Sequence, residues 1–361
     1  MDARYDIVVV GAGMAGASLA ATIGTKARVL VLEAEDRPGY HTTGRSAAFW
    51  SESYGGPGVQ PLTTASGPLL RELDLLTPRT ALTLGRKGQE DEVAAFAETY
   101  SGIGLEVDLL DRAGIARKVS GLRDVWTCGA FEPSCCDIDV GGLHQHYLRA
   151  SHSAGVDLWC RAGLREVERT GQGWHLTLAD GRRVNAEILV NAAGAWADPV
   201  ASMAGLSPLG ITPYRRTVAQ LAVSPAAPAD LPLVLDISGS FYFKPESGRL
   251  WLSPHDETPS PPCDAAPEEL DVALAIDRFE HVVDWEIERL EHRWAGLRSF
   301  APDRLPVYGF APQEPAFFWF AGQGGFGIQT APAAAELAGR LLLGETGGAV
   351  DPAPYSPARF A

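Results

Sequence analysis

The hydrophobic pattern near the start of the chain predicts a strand, a helix and a second strand. Apolar residues run without polar alternation over 7–10, which is typical of a parallel strand covered on both faces. A helix is predicted from residue 14 to about residue 24, and a second buried strand over 28–32. This order predicts a parallel βαβ unit.

Further along the chain, the spacing of apolar and polar residues predicts an alternation of helices and strands. Helices are predicted over residues 62–75, 89–100, 141–154, 268–281 and 331–343. Strands are predicted over 80–84, 163–169, 174–178, 183–186, 188–191 and 317–321, with a strand-like pattern from 211 to about 252 and a loop over 254–267. Because βαβ and hairpin patterns both occur, the expected fold class is mixed α/β.

Glycines at the first strand–helix junction have the spacing G-x-G-x-x-G, as Gly11, Gly13 and Gly16. The first permits a tight turn, the second lets backbone N–H groups approach a pyrophosphate, and the third lets the helix lie close to the sheet. The positive N-terminus of that helix faces the same phosphates. Glu33 ends the second strand, where its carboxylate can accept hydrogen bonds from ribose hydroxyls. The unit is therefore predicted to bind a dinucleotide whose adenosine ribose has no 2′-phosphate.

Small residues recur where a ligand could approach the backbone closely. The residues AAG at 192–194 follow one predicted strand, and GQGGFGIQ at 322–329 follows another and precedes an alanine-rich helix. Backbone amides in such a turn can contact a second part of the same ligand. Small residues over 42–48 also permit close approach, and Arg45 among them could face a phosphate. A surface loop leading into a helix is the alternative for that segment.

Length, charge and composition argue against several kinds of partner. The chain has 361 residues, enough for about two domains. Its net charge of −15 argues against nucleic acid and anionic membrane surfaces as partners. Neither a signal peptide nor an integral membrane segment is expected from the apolar pattern. The five cysteines form no C-x-x-C pair and the eight histidines have no metal-binding spacing, so reduced thiols, no metal and a cytoplasmic location are expected.

The glycine motifs and several later segments together resemble the flavin-dependent amine oxidoreductases of the D-amino acid oxidase (DAO) family. The shared segments are GAGMAG at 11–16 with Glu33, GRSAA at 44–48, VNAAGAW at 190–196, GLRSF at 296–300 and GQGGFGIQT at 322–330. The segments that resemble the bacterial D-arginine dehydrogenases in particular are GYHTTGRSAA at 39–48, PYRR at 213–216 and SFYFKP at 240–245. The resemblance covers roughly residues 5–340.

The resemblance implies a Rossmann-like FAD-binding domain interwoven with a substrate-binding domain on a large mixed or antiparallel sheet. The expected FAD-binding domain comprises residues 1–48, 140–205 and 300–345. The expected substrate-binding domain comprises residues 49–139 and 206–299, and residues 346–361 form a C-terminal tail.

The resemblance also implies FAD as the cofactor, with its flavin ring at the interface of the two domains. Related sarcosine oxidases attach the flavin to a cysteine near the position of Ser299, and no cysteine follows Cys263 here. Non-covalent binding is therefore expected. The expected FAD contacts are Gly11, Gly13, Met14, Ala15, Gly16, Glu33, Ala34, Gly44, Arg45, Ser46, Ala47, Ala48, Val167, Ala193, Gly194, Trp196, Gly296, Arg298, Gln323, Gly324, Gly325, Phe326, Gly327, Ile328 and Gln329.

The expected catalytic residues hold an α-amino acid by its carboxylate, for which a planar guanidinium is the natural partner. The resemblance gives this role to Arg298, with the hydroxyls of Tyr242 and Tyr54 beside it. Arg216 resembles a further pocket arginine, and Arg215 is its less favoured neighbour. Without the resemblance, such residues are more often surface arginines and core tyrosines.

The expected substrate pocket departs from the D-arginine dehydrogenase pattern. Ala81 stands where an acid would meet a substrate guanidinium, and Phe49 replaces a histidine. Because a buried cation without a partner is strongly unfavourable, a neutral apolar or aromatic side chain is expected. Glu52 on the same loop could substitute for that acid, but a solvent-facing carboxylate is the favoured interpretation. The expected pocket residues are Phe49, Trp50, Ser51, Glu52, Ala81, Leu233 and Leu235.

The implied reaction is oxidative deamination of an amino acid, with the D configuration favoured. Hydride transfer from Cα to flavin N5 gives an imino acid, which water converts to a 2-oxo acid and ammonia. One open alternative is a different substrate for the flavin enzyme, either a proline- or sarcosine-like secondary amine or a 2-hydroxy acid. The chain could instead be a nicotinamide dehydrogenase or a flavin-binding subunit without turnover. The electron acceptor is a quinone, a carrier or O2, so peripheral contact with the inner membrane stays open. A monomer or weak homo-oligomer is expected.

Overall fold

The computed structural model describes residues 3–361, which contain 8 helices and 20 strands. The helices are α1 (Met14–Ile23), α2 (Gln60–Glu72), α3 (Glu90–Ser101), α4 (Arg112–Lys118), α5 (Val140–Ser153), α6 (Ala197–Met203), α7 (Glu269–Glu280) and α8 (Ala331–Leu342). The strands are β1 (Ala3–Val10), β2 (Val29–Leu32), β3 (Phe49–Trp50), β4 (Leu76–Pro78), β5 (Ala81–Arg86), β6 (Asp108–Asp111), β7 (Trp126–Glu132), β8 (Cys136–Ile138), β9 (Asp157–Trp159), β10 (Leu164–Thr170), β11 (Gly173–Leu178), β12 (Arg183–Asn191), β13 (Thr212–Ser224), β14 (Leu233–Asp236), β15 (Tyr242–Glu246), β16 (Arg249–Ser253), β17 (Thr258–Pro259), β18 (Glu286–Phe300), β19 (Val307–Ala311) and β20 (Glu314–Ala321).

An eight-stranded sheet is built around β1, which lies between β12 and β2, and all three run parallel. Strand β9 extends the sheet beyond β2, and β20 pairs in parallel with the last residues of β12. Along β1, Ile7 and Val9 face one buried core, whereas Val8 and Val10 face another. Both faces of β1 are therefore covered, which is why its sequence shows no polar alternation.

A nine-stranded, mostly antiparallel sheet forms the second large layer. Its longest strands, β13 and β18, pair along nearly their whole lengths. The paired register sets Arg298 of β18 opposite Tyr214 of β13. Strand β15 begins at Tyr242 and lies elsewhere in the same sheet. This sheet therefore supplies side chains from distant parts of the sequence to one place.

The structure confirms the mixed α/β fold class and most of the predicted elements, with three differences. The strands predicted over 183–186 and 188–191 are one strand, β12. Residues 183–186 pair with β11 while residues 184–191 pair with β1, so one continuous strand takes part in both the antiparallel and the parallel pairing. Strand β17 lies inside the predicted loop over 254–267. The elements that were not predicted are the strands β3, β4, β6, β7, β8, β9, β18 and β19 and the helices α4 and α6. The division into two interwoven domains stays a prediction.

The close packing of α1 on β1 can be tested at Gly16. A Cβ at this position would collide with the backbone carbonyl oxygen of Gly11. We expect Gly16→Ala to lower the free energy of unfolding by about 1–3 kcal/mol, since overpacked sites destabilise to that extent. Thermal unfolding followed by circular dichroism would measure the change.

Gly141→Ala is the matched control, because Gly141 also lies in the first turn of a helix. A Cβ there would meet only the Asp139 carboxylate at an ordinary contact distance of 3.6 Å. We expect this variant to unfold at the wild-type temperature or slightly above it. Equal destabilisation by the two substitutions would contradict the packing argument.

Candidate functional site

A cavity of about 490 Å³ runs from the β1–α1 turn to the β18 end of the second sheet. Its wall is drawn from the ends of β1, β2 and β12, from residues 39–47, from β18 and from the glycine-rich turn over 322–328. The cavity thus connects the predicted nucleotide site with the predicted carboxylate site. An elongated ligand could occupy both ends at once.

At the nucleotide end, Glu33 braces the glycine-rich turn. One carboxylate oxygen accepts a hydrogen bond from the Ala12 backbone N–H (3.0 Å), and the other accepts one from the Glu35 N–H (3.0 Å). Gly11 has φ +104°, a conformation that glycine adopts without strain. The acid at the end of β2 therefore fixes the turn as well as facing the cavity.

Two residues that the sequence did not single out also hold this turn. The Thr43 hydroxyl accepts a hydrogen bond from the Met14 N–H (2.9 Å) and so satisfies a free donor of the first turn of α1. His144 contacts the Ala12 carbonyl oxygen through Nε2 (3.0 Å). Burial lowers the pKa of His144, so the neutral ring donates Nε2–H to that carbonyl.

Most of the predicted FAD contacts line this cavity. They are Gly11, Gly13, Met14, Ala15, Glu33, Ala34, Arg45, Ser46, Ala47, Ala193, Gly194, Trp196, Gly296, Arg298, Gln323, Gly324, Gly325, Gly327 and Ile328. Arg45 is already engaged: its guanidinium pairs with Asp264 and donates to the Ala265 carbonyl oxygen (2.7 Å). The cavity wall, taken over residues 3–361, includes no cysteine.

Six predicted FAD contacts lie outside the cavity wall: Gly16, Gly44, Ala48, Val167, Phe326 and Gln329. Gly16 packs on the Gly11 carbonyl, and Val167 points into the core beneath the eight-stranded sheet. The Phe326 ring packs edge-on against Tyr54, with 5.3 Å between ring centroids. Side chains next to a ligand-binding backbone can thus face away from the ligand.

The predicted carboxylate grip is assembled at the other end of the cavity. Arg298 Nη1 donates to the Tyr54 hydroxyl (2.8 Å), and Nη2 lies 3.5 Å from the Tyr242 hydroxyl. Both partners are phenol hydroxyls, and no Asp or Glu of residues 3–361 forms an ion pair with this guanidinium; Asp256 acts on it only from a greater distance. Gly325 borders it so closely that a Cβ there would lie 2.7 Å from Nη1. Arg298 therefore presents to the cavity a positive charge that no acid pairs with directly.

The neighbouring arginines on β13 face opposite sides of the sheet, because side chains alternate along a strand. Arg215 pairs with Glu268 and with Asp271 (2.9 Å), away from the cavity wall. Arg216 lines the cavity and is 4% exposed. Its Nε donates to the Asp256 carbonyl oxygen (2.8 Å), whereas its Nη1 is buried without a hydrogen-bond partner.

The two cavity guanidiniums create a positive local field. The pKa of Arg216 is lowered by burial and by Arg298. Burial would raise the pKa of Tyr54, but the charges of Arg298 and Arg216 outweigh burial and lower it. Burial and the same two charges lower the pKa of His255 to about 3. The field favours negative charge at this end of the cavity.

Four of the predicted pocket residues form an apolar wall beside this grip. Phe49, Ala81, Leu233 and Leu235 cluster with Cys135, Tyr54 and Tyr242. The Phe49 ring lies edge-on to Tyr54, with 4.8 Å between centroids. Phe49, Ala81 and Leu233 are 5%, 3% and 0% exposed, so the wall is closely packed and does not line the open cavity.

The other three predicted pocket residues point elsewhere. The Trp50 indole N–H donates to the Thr63 carbonyl oxygen (2.9 Å). The Ser51 hydroxyl donates to a carboxylate oxygen of Glu132 (2.8 Å). The Glu52 carboxylate accepts from the Thr64 hydroxyl on α2, so it is not directed at the apolar wall. Glu132, a buried acid that sequence reasoning missed, is the nearest acid to this segment.

Residues 3–361 contain neither a candidate membrane-spanning helix nor a candidate metal site. None of the helices there has the length and apolarity to cross a bilayer. No cluster of three or more His, Cys, Asp or Glu side chains in that range could hold a metal ion.

Known proteins resemble this chain over its full length. The family model for the DAO family, described as FAD dependent oxidoreductase, matches residues 6–341. The hydrogen cyanide synthase subunit HcnC of Pseudomonas aeruginosa is 26% identical, with 100% of this chain and 97% of the relative covered. The glycine oxidase of Geobacillus kaustophilus is also 26% identical, with 99% and 98% covered. In fold, the crystal structure of L-proline dehydrogenase from P. horikoshii has a TM-score of 0.87 at 20% identity, with 100% and 98% covered.

The match to the family model extends from β1 to α8 and includes every segment of the cavity wall. FAD is the cofactor of this family, and the cavity has the glycine-rich turn, the ribose-facing acid and the second glycine-rich turn that such a dinucleotide needs. The finer resemblance to D-arginine dehydrogenases stays a prediction. The chain belongs to the DAO family of FAD-dependent oxidoreductases and is an enzyme of the amine and amino-acid type.

Proposed function

We propose that this enzyme oxidises the C–N bond of a small, neutral α-amino acid, whose carboxylate binds Arg298. The observation that carries the proposal is the Arg298 guanidinium, which faces the cavity with two phenols and no acid as its partners. A buried cation without a counter-charge is unfavourable until an anion binds. A substrate carboxylate provides that anion and matches the guanidinium fork.

Arg216 supports the same substrate chemistry. Its buried Nη1 has no hydrogen-bond partner, and the Arg216 side chain is close enough to Tyr54 to lower the pKa of that hydroxyl. Buried polar groups normally find a partner, and a carboxylate oxygen held by Arg298 and Tyr54 would provide one. A cationic substrate side chain would instead meet two guanidiniums and an apolar wall, beside which the one neighbouring acid of β7, Glu132, is already engaged by Ser51 and the Glu52 N–H. The field therefore favours a neutral side chain.

The close packing of the apolar wall favours a small side chain over an aromatic one. Phe49, Ala81 and Leu233 are already in contact and almost fully buried, so a large side chain would have to displace Phe49. The similarity to a glycine oxidase agrees with a small substrate. The expected substrate is thus narrowed from any amino acid with a neutral apolar or aromatic side chain to glycine, alanine or an N-substituted glycine. The D configuration stays a prediction.

The residues of the cavity wall fit FAD from end to end. Gly11, Gly13 and Glu33 would hold its adenosine diphosphate half, and the turn over 322–328 would hold its flavin half. When bound, FAD supplies the two-electron acceptor for the α-hydrogen of the substrate. The flavin half is assigned to the turn over 322–328 because Gly325 of that turn lies next to Arg298, the residue proposed to bind the substrate.

The contribution of the protein to the reaction is then mainly orientation. Arg298 and Tyr54 fix the carboxylate, and the apolar wall excludes water from the substrate side. Holding two reactants in a productive geometry can lower a barrier by roughly 7–11 kcal/mol at most. No general acid or base of the pocket is needed once the substrate amine is neutral. The electron acceptor, whether O2, a quinone or a carrier, is left open.

Substitution of Arg298 tests the carboxylate grip. We expect Arg298→Lys to lower kcat/KM by about 10²-fold or more, because an ammonium cannot make the paired hydrogen bonds of a guanidinium. Flavin absorbance per protein should be unchanged. Arg215→Lys is the matched control on the neighbouring strand, and it should stay within about threefold of wild type since Arg215 pairs with acids outside the cavity. Equal losses in the two variants would contradict the assignment.

A panel of substrates tests the nature of the side chain. Anaerobic bleaching of the flavin should be faster with glycine, alanine, sarcosine or proline than with D-phenylalanine, and slowest with D-arginine. Phe49→Ala should raise the rate with D-phenylalanine relative to that with glycine. Faster reduction by D-arginine than by any neutral amino acid would refute the proposed specificity. Absence of reduction by the whole panel, glycolate included, would instead favour a non-catalytic flavin subunit.

The lowered pKa of Tyr54 predicts a pH limit on carboxylate binding. As pH rises, the phenol ionises below the usual value of about 10. It then loses its donor proton and repels a carboxylate. As the pH is raised, the Kd for acetate, measured from the visible flavin spectrum, should therefore begin to increase in wild type before the pH reaches about 10. In Tyr54→Phe the Kd should not increase over that range. Flavin ionisation is common to both proteins, so an identical alkaline rise in both would exclude Tyr54 as its cause.

A further inference from the structure

Glu132 is a buried acid, and three of its four hydrogen-bond donors lie in the segment that precedes Tyr54. It ends β7 and is 2% exposed. One carboxylate oxygen accepts from the hydroxyls of Ser51 (2.8 Å) and Ser53. The other accepts from the Glu52 backbone N–H (2.9 Å) and from the Ser134 hydroxyl (3.2 Å). Three consecutive residues are thus tied to one carboxylate.

The same segment is held from the opposite side by Gln329 of the glycine-rich turn. Its Oε1 lies 3.4 Å from the Ser51 backbone N–H, and its Nε2 donates to the Tyr54 carbonyl oxygen (3.1 Å). The Thr63 hydroxyl anchors the same amide at 2.9 Å. We call residues 51–54 the clamped loop, because Glu132 and Gln329 hold it between the nine-stranded sheet and the glycine-rich turn.

The clamped loop ends at Tyr54, whose hydroxyl contacts Arg298. Its chain turns back on itself, since the Tyr54 N–H donates to the Ser51 carbonyl oxygen (3.3 Å). Gly55 and Gly56 follow with φ of +109° and +84°, which glycine adopts without strain. The Tyr54 ring packs against Phe49 and Phe326, whereas its backbone is held by the side-chain bonds to the loop. The position of the Tyr54 hydroxyl therefore depends on both.

We propose that Glu132 is a positioning residue that holds Tyr54 on Arg298 through the clamped loop, and so sets the affinity of the site for a carboxylate. The role of the carboxylate grip in this statement rests on the proposed function. Glu132 touches neither the cavity wall nor Arg298, so it acts only through the loop. A carboxylate suits the task because its two oxygens can accept all four hydrogen bonds at once.

Glu132→Gln tests the proposal, because the amide keeps the shape of the side chain but replaces one acceptor oxygen by a donor. Buried hydroxyl and amide donors of the loop then lose a partner. In the FAD-bound enzyme, we expect the Kd for acetate to rise about fivefold to tenfold. Amide hydrogen exchange of residues 51–56 should become faster. Ser134→Ala is the matched control: it removes a bond to the same carboxylate without touching the loop, and should change Kd by less than about twofold.

A double-mutant cycle with Tyr54→Phe separates positioning from a general structural role. If Glu132 acts through the Tyr54 hydroxyl, Glu132→Gln in the Tyr54→Phe background should change the Kd for acetate by less than about twofold. The full effect in that background would overturn the proposal, and so would unchanged exchange of residues 51–56. Ser53→Ala removes one hydrogen bond between the loop and Glu132 and is therefore a milder change. It should shift the Kd for acetate and the amide hydrogen exchange of residues 51–56 in the same direction, and it tests the proposal if Glu132→Gln does not fold.

The outcomes also distinguish the clamp from the proposed function. If wild type fails to bind acetate, or binds it equally well after Arg298→Lys, the proposed function fails. The exchange measurement still decides whether Glu132 orders the loop. If acetate binding depends on Arg298 but not on Glu132, the proposed function stands and the clamp is refuted.

Discussion

The structure depends on one buried charge without a directly paired acid, the Arg298 guanidinium at the wall of the cavity. Its hydrogen-bond partners are two phenol hydroxyls, and Asp256 acts on it only from a greater distance, although burial of a cation is costly. The surrounding packing maintains the arrangement: β13 fixes the register of β18, and Gly325 leaves room beside the guanidinium where any side chain would collide. Under the proposed function, the carboxylate of the substrate is the anion that pairs with this charge.

The two large sheets meet around this charge, and each contributes what the other lacks. The eight-stranded sheet provides strand ends, glycine-rich turns and helix N-termini, which suit the phosphates and ring of a dinucleotide. The nine-stranded sheet provides Arg298, Arg216 and Tyr242 from three separate strands. The clamped loop joins them, because Glu132 belongs to one sheet and Gln329 to a turn of the other. The clamped loop therefore links the glycine-rich turn proposed to bind the cofactor to the residues proposed to bind the substrate.

Local sequence was sufficient where one short segment carries its own geometry. The βαβ unit with Gly11 and Glu33 follows from spacing alone, because turn, helix and strand end are all within thirty residues of one another. Arg298, Tyr54 and Tyr242 came together only through the family resemblance, since their contacts span up to 244 residues. Glu132 and Thr43 gave no signal, because a single buried acid or threonine is ordinary until its partners are known. For Glu52, spacing could not decide between a pocket acid and a solvent-facing carboxylate, because its partner, Thr64, lies on a helix that spacing could not orient.

The most direct test is a crystal structure of the enzyme with FAD and acetate bound. We expect acetate oxygens about 2.7–2.9 Å from the Arg298 guanidinium nitrogens, the usual length of a charge-assisted hydrogen bond. We also expect the Tyr54 hydroxyl within hydrogen-bonding distance of the acetate and the flavin ring against Gly325. Acetate bound elsewhere in the cavity, with Arg298 still paired only to its two tyrosines, would contradict the proposed carboxylate grip.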